Sequence, residues 1–237
     1  MVALAPTPRH IDAMKPAAIV LQLAAFALYT AAVLFWPAGT WAYPAGWTLV
    51  ALMVGGGVLI TAWLAKNDPA LLRERMSSPV QRGQGLWDRV FILALIAFYT
   101  VWMAFSAWDA ARLGFGAVPV WLQAMGALGV VGYMVGAWRT FRENSFAAPV
   151  VKVQEGQRVI DTGPYAIVRH PMYLSALLLF IGTPLLLGSW WGLLGSLVLI
   201  LGIAWRAVQE ENLLRRELAG YADYMNRVRF RLVPWVW

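Results

Sequence analysis

The chain has no cysteine among its 237 residues, which excludes disulfides, thiol nucleophiles and thiolate metal sites. It has only two histidines, His10 and His170, too few for an ordinary haem or zinc cluster. Charged residues make up 13%, roughly half of what a soluble domain carries. All twelve acidic residues lie outside the middles of the long apolar stretches. That argues against an ion channel or a proton-coupled transporter, which need charge inside the membrane. The formal charge of +7 does not mark a nucleic-acid binder, because the basic residues are scattered between apolar spans.

What is there is 60% hydrophobic and reads as an all-α integral membrane protein. Six apolar stretches stand out, at 17–36, 45–65, 90–108, 119–138, 172–187 and 190–205. The first four are long enough to cross a hydrocarbon core of about 30 Å. The last two are shorter and separated by "GTPLLLGSWWG", so a tight hairpin of two short helices is expected, giving about six transmembrane helices. Eighteen of the 19 lysines and arginines fall in the N-terminal segment, the loops 66–89 and 139–171, and the tail from Arg206. Only Arg112 falls in the alternate loops, so the positive-inside rule puts both termini in the cytoplasm. The first span is flanked by Pro37 and Trp41 and has no convincing cleavage site, so it is expected to stay in place. These features suit a bacterial inner membrane. Gly132 and Gly136, four apart, read as a close helix-packing face, and "GGG" at 55–57 reads likewise. Trp36, Trp41, Trp47, Trp108, Trp190 and Trp191 sit near expected span ends, as interfacial anchors do.

Polar residues that can do chemistry gather in two pieces, 139–171 and 206–234, which flank the hairpin and so emerge on one face. In "GPYAIVRHPMYLS" Pro171 suits the first turn of a helix, where its missing amide hydrogen costs nothing. His170 is thereby pushed to an extended conformation, with its amide and ring expected to be free for a ligand. In "WRAVQEENLLRRELAGYADYMNRVRFRLVP", Leu214, Leu218, Tyr221 and Met225 fall on one helical face. Arg206 with Glu210, Glu211 with Arg215, and Asp223 with Arg227 are spaced for helix-surface ion pairs. Glu210 is expected to face inward and Glu211 outward.

"GPYAIVRHPMYLS", an apolar hairpin, "EENLLRRELAGYADY" and a closing "LVP" resemble the isoprenylcysteine carboxyl methyltransferase superfamily, which includes phospholipid and thiol methyltransferases. The likeness covers roughly 139–234, dividing the chain into an N-terminal four-helix region (1–138) and a catalytic region (139–237). It implies S-adenosyl-L-methionine bound at the cytoplasmic face, under a C-terminal helix that closes the pocket. Carried over by position, it implies cofactor contacts from Tyr165, His170, Pro171, Met172, Tyr173 and Glu210. It also implies contacts from an extended segment, Gln157, Arg158, Val159 and Ile160, chiefly through the main chain. Arg206 and Arg169 are implied to orient an anionic acceptor group for methyl transfer. No metal is implied, and the acceptor is expected to be lipophilic, arriving from the bilayer. A sterol-reductase-like enzyme using NADPH shares the "RHP-x-Y" turn, although Met172 and "EENLL" depart from its pattern. A membrane scaffold retaining a methyltransferase shell is the non-enzymatic alternative.

Overall fold

The computed structural model describes residues 14–114 and 116–237, so Arg9 and His10 lie outside the described residues. Among the described residues, eight α-helices follow in order: α1 (Pro16–Ala38), α2 (Pro44–Asn67), α3 (Pro69–Arg75), α4 (Leu86–Trp108), α5 (Val120–Glu143), α6 (Pro171–Leu187), α7 (Gly192–Glu217) and α8 (Tyr221–Arg227). Proline stands at the start of α1, α2, α3 and α6, where its fixed φ suits the first turn. Gly39 and Gly188, both with positive φ, close α1 and α6. A single π-helical turn, Asp109–Leu113, follows α4.

Five helices, α1, α2, α4, α5 and α7, are long and apolar enough to cross a membrane. The sixth apolar helix, α6, has 17 residues, near the short limit for spanning. Together with α7 it forms the expected hairpin, turning at Gly188–Trp191. The partner helix is not short, however. No helix breaker interrupts "AVQEENLLRRE", which is made of strong helix formers, so α7 runs unbroken for 26 residues. The separate C-terminal helix expected from the sequence is therefore the continuation of α7, followed by the short α8 after Gly220 (φ 80°).

Helices α5 and α6 meet along a seam of small residues. A Cβ added at Gly126 would lie 2.6 Å from the Gly182 carbonyl oxygen, and one at Gly129 would lie 3.0 Å from the Leu178 carbonyl oxygen. Gly132 faces the Leu178 side chain and Gly136 faces Ser175. This is the packing role expected of Gly132 and Gly136, extended along the helix. In the "GGG" triplet only Gly56 meets a neighbour, Met134. The interior at mid-depth is apolar, built from Leu34, Leu49, Trp102, Met103, Val130, Leu179, Phe180, Leu199 and Ile203. Trp36, Trp41, Trp47, Trp108, Trp190 and Trp191 all expose their rings, in keeping with a belt at one membrane surface.

At the opposite end, the starts of α4 and α6 and the ends of α2, α5 and α7 come together with the loop 144–170 and the tail 228–237. The expectation that the two polar pieces share one face is met there: Arg206 Nη2 donates to the Pro149 carbonyl at 2.8 Å. Helix α3, which the sequence reading missed, lies at this end. Its N-cap, Asp68, accepts from the Leu71 amide at 3.0 Å.

The α5–α6 seam makes a direct prediction. Gly182→Ala is expected to lower stability by about 1–3 kcal/mol through overpacking. Thermal unfolding of the purified protein should show this as a reduced Tm. Gly57→Ala, whose Cβ would meet nothing within 4 Å, is expected to leave Tm unchanged.

Candidate active site

The organising feature of this end is a buried carboxylate. Glu211, on α7, is only 2% exposed. Its Oε1 accepts from Arg169 Nε at 2.6 Å and lies 3.2 Å from His170 Nε2. Its Oε2 accepts from Arg231 Nε at 2.9 Å, with Arg231 Nη2 at 2.8 Å. The expected outward orientation of Glu211, and its pairing with Arg215, are thus corrected. A carboxylate so deep cannot stay charged without cationic partners, and Arg169 and Arg231, from two distant segments, supply them.

The same network fixes the Arg169–His170–Pro171 turn. The Arg169 amide donates to the Phe230 carbonyl and the His170 amide to the Arg231 carbonyl, each at 3.0 Å. Arg169 Nη1 donates to the carbonyls of Val228 and Arg229 at 2.7 and 2.8 Å. A parallel bridge links Val168 with Phe230. The C-terminal tail therefore lies across the turn like a short strand, and neither the amide nor the ring of His170 is free, contrary to expectation. The His170 ring stacks on Tyr173 with centroids 5.3 Å apart and planes 6° apart.

Arg206, one turn before Glu210, pairs elsewhere than expected. Its Nε donates to Asp88 Oδ1 at 2.9 Å, across 118 residues of sequence. Asp88, at the start of α4, is fully buried, and its Oδ2 accepts from the Val151 amide and from Gln84 Nε2, both at 2.8 Å. The guanidinium carbon of Arg206 lies 5.8 Å from the centroid of Tyr173. Arg227 likewise pairs with Asp161 rather than Asp223, at 2.7 Å.

Beside this scaffold opens a cleft of about 830 Å³, its open mouth included. Its lining contains Gln157, Arg158, Val159, Ile160, Tyr165, Arg169, His170, Pro171, Met172, Tyr173 and Glu210. The segment 157–160 runs along one wall and makes no strand ladder. Arg206 is not part of the lining and stands behind Tyr173. Glu210 is half-buried: its Oε2 accepts from the Tyr173 hydroxyl at 2.6 Å, while its Oε1 has no protein partner among the described residues. Asn144 Nδ2 donates to the Tyr165 hydroxyl at 2.8 Å, and the Tyr224 hydroxyl donates to the Tyr165 carbonyl at 2.8 Å. Burial raises the pKa of the hydroxyls of Tyr165 and Tyr224, so both stay protonated donors. Leu214, Leu218 and Tyr221, from the face read in the sequence, roof the cleft with Tyr224 and Val159.

Residues 115–219 match the phospholipid methyltransferase family. The matched stretch, somewhat under half the chain, runs from the loop before α5 to the first residues after α7. It bears out the resemblance seen in "GPYAIVRHPMYLS" and "EENLL", since this family is part of the isoprenylcysteine and phospholipid methyltransferase membrane superfamily. The match indicates a membrane methyltransferase. No curated protein matches the chain. Asp88, Arg231 and Tyr224, which hold the site together, all fall outside the matched stretch.

Sequence reasoning missed Asp88, Arg231 and Asn144, and it placed Glu211 on the wrong side of the helix. A signal for Arg231 existed: "VRFRL" alternates charged and apolar residues as a half-covered extended segment does. Asp88 carried no such signal, because an acid in the first turn of a helix reads as an ordinary partner of the helix dipole.

Glu211→Ala would leave Arg169 and Arg231 facing each other in a buried site without their carboxylate. It is expected to cost about 3–5 kcal/mol. The loss should appear as a lower Tm together with faster proteolysis within 228–237. Glu217→Ala, at the end of α7, is expected to change neither.

Proposed function

We propose that the protein transfers a methyl group from S-adenosyl-L-methionine to a lipophilic acceptor at the cytoplasmic face of a membrane. In this reading it works in the manner of the isoprenylcysteine carboxyl methyltransferase type. The observation that carries the proposal is the cleft itself, which gathers all ten residues on which the resemblance places the cofactor. Its chemistry suits that cofactor. Tyr165 and Tyr173 present aromatic rings, which attract a sulfonium cation, and Val159, Leu214 and Leu218 offer apolar contact to a purine. The open Oε1 of Glu210 accepts a ribose hydroxyl or an amino group. The basic loops 66–89 and 139–171 and the basic tail belong to this end, which supports a cytoplasmic placement.

Bound there, the cofactor supplies an electrophilic methyl group, and the protein's work is placement. Alignment and exclusion of water account for about 7–11 kcal/mol of such a barrier. Tyr173 fixes Glu210 through its hydroxyl, and Glu211 fixes Tyr173 through the stacked His170. Arg169, which lines the cleft, keeps one terminal nitrogen outside the bonds described above, and it orients the acceptor; Arg206, behind Tyr173, is occupied by Asp88 and the Pro149 carbonyl. A carboxylate or thiolate acceptor attacks without proton transfer. An amine acceptor passes its proton to Glu210, because His170 and Glu211 are already engaged with each other and with two arginines.

The test is ligand-induced stabilisation of the purified protein. S-adenosylhomocysteine at about 100 times its Kd is expected to stabilise the wild type by about 2.7 kcal/mol. Glu210→Ala should lose that gain while its own Tm stays close to the wild type's. Stabilisation by NADPH in place of S-adenosylhomocysteine would overturn the proposal in favour of a reductase.

A further inference from the structure

Three arginines frame the site, and each has a carboxylate: Arg169 and Arg231 share Glu211, and Arg206 has Asp88. A fourth has none. Arg75, at the end of α3, has no carboxylate within 4.0 Å among the described residues. Its Nη1 donates to the Ala147 carbonyl at 2.9 Å and lies 3.9 Å from the Met172 sulfur. Its guanidinium carbon sits 4.2 Å above the ring of Phe141. Burial lowers its pKa, opposed by the nearby hydroxyls of Tyr133 and Tyr165. A half-buried cation with only a carbonyl, a thioether and rings for company lacks the carboxylate that each of the other three has. Leu71 and Leu72 anchor α3 in the core independently of it.

Position gives the cation a use. Ala147 and Met172, which Arg75 touches, also line the cleft, so the guanidinium lies just behind the cleft wall. Its other side belongs to an apolar cluster contributed by α1, α2, α3 and α5, with Ile19, Ile60, Trp63 and Tyr133 only partly buried. An acyl or prenyl chain lying along those helices would bring its polar end to Arg75 and its reactive atom toward Glu210 and Tyr173.

We propose that Arg75 binds the anionic oxygen group, phosphate or carboxylate, of the lipid acceptor and so selects acceptors that carry one. The inference rests on the methyltransferase reading. It makes a residue outside the family-matched stretch 115–219 a specificity determinant. Donors Nε and Nη2, without protein partners among the described residues, form a fork suited to two oxygens of one group.

The test uses the full chain in nanodiscs of neutral lipid, with dodecyl phosphate, dodecanoate, dodecanol and inorganic phosphate as probes. Wild type, Arg75→Gln, Arg75→Lys and Arg82→Gln are compared, Arg82 being an exposed loop residue. Arg75→Gln is expected to weaken dodecyl phosphate or dodecanoate binding about tenfold, the loss of one charge-assisted contact. Arg75→Lys should retain part of that affinity, and Arg82→Gln all of it. Dodecanol should bind all four proteins alike, and S-adenosylhomocysteine affinity should be the same throughout. Unchanged binding of both anionic probes to Arg75→Gln would overturn the proposal. So would inorganic phosphate binding as tightly as dodecyl phosphate, which would mean a site for a free anion. A loss confined to S-adenosylhomocysteine would assign Arg75 to the cofactor's carboxylate instead. Each probe is also titrated without S-adenosylhomocysteine. If that compound fails to bind even the wild type, the methyltransferase reading fails, and the Arg75 comparison still gives its own answer.

Discussion

One buried carboxylate holds this end of the molecule together. Glu211 gathers the turn before α6, the extended end of α7 and the C-terminal tail onto two oxygens. The constraint is electrostatic before it is geometric. A charge this far from water is tolerable only with its partners in place, so α7 and the two segments that supply those partners are tied to one arrangement. The cleft residues inherit that rigidity. His170 is held by Glu211, Tyr173 is stacked on His170, and Glu210 is aimed by the Tyr173 hydroxyl. Glu210, which lines the cleft, is thus three contacts removed from the residue that fixes it.

The second support comes from the N-terminal half. Asp88 reaches Arg206 and the loop amide of Val151, so a helix outside the matched stretch props up both the last long helix and the wall of the cleft. The two halves read in the sequence, 1–138 and 139–237, thus share one polar network at this end. The α5–α6 seam continues the same division of labour at depth, since glycines let backbones approach where no hydrophobic force separates protein from lipid.

Much of this was legible in the residues. Long apolar runs gave the spans, and the prolines and glycines marked their ends, because both signals are local. The lining of the cleft was legible by likeness: "GPYAIVRHPMY" and "EENLL" carry spacings that bring the same side chains to one place. What was not legible was which charge pairs with which. Arg206 sits four residues from Glu210, yet binds an aspartate 118 positions away, and Glu211 ignores Arg215 for Arg169 and Arg231. Spacing along a helix finds neighbours on that helix, while burial decides whether such a pair is worth forming. The length of α7 was missed for a related reason. Its polar half looks like a separate surface helix, but nothing in its backbone asks the helix to stop.

The shortness of α6 bears on how lipid meets the site. Seventeen residues rise about 26 Å, a few ångströms less than a typical hydrocarbon core. Either the bilayer thins around this helix, or Pro171 and the turn before it sit at the depth where acyl chains join their headgroups. In both cases Pro171, which lines the cleft, stands near the boundary between acyl chains and headgroups. Under the proposed function an acceptor would then slide in along the plane of the membrane without being lifted out of it, and membrane thickness itself would tune access.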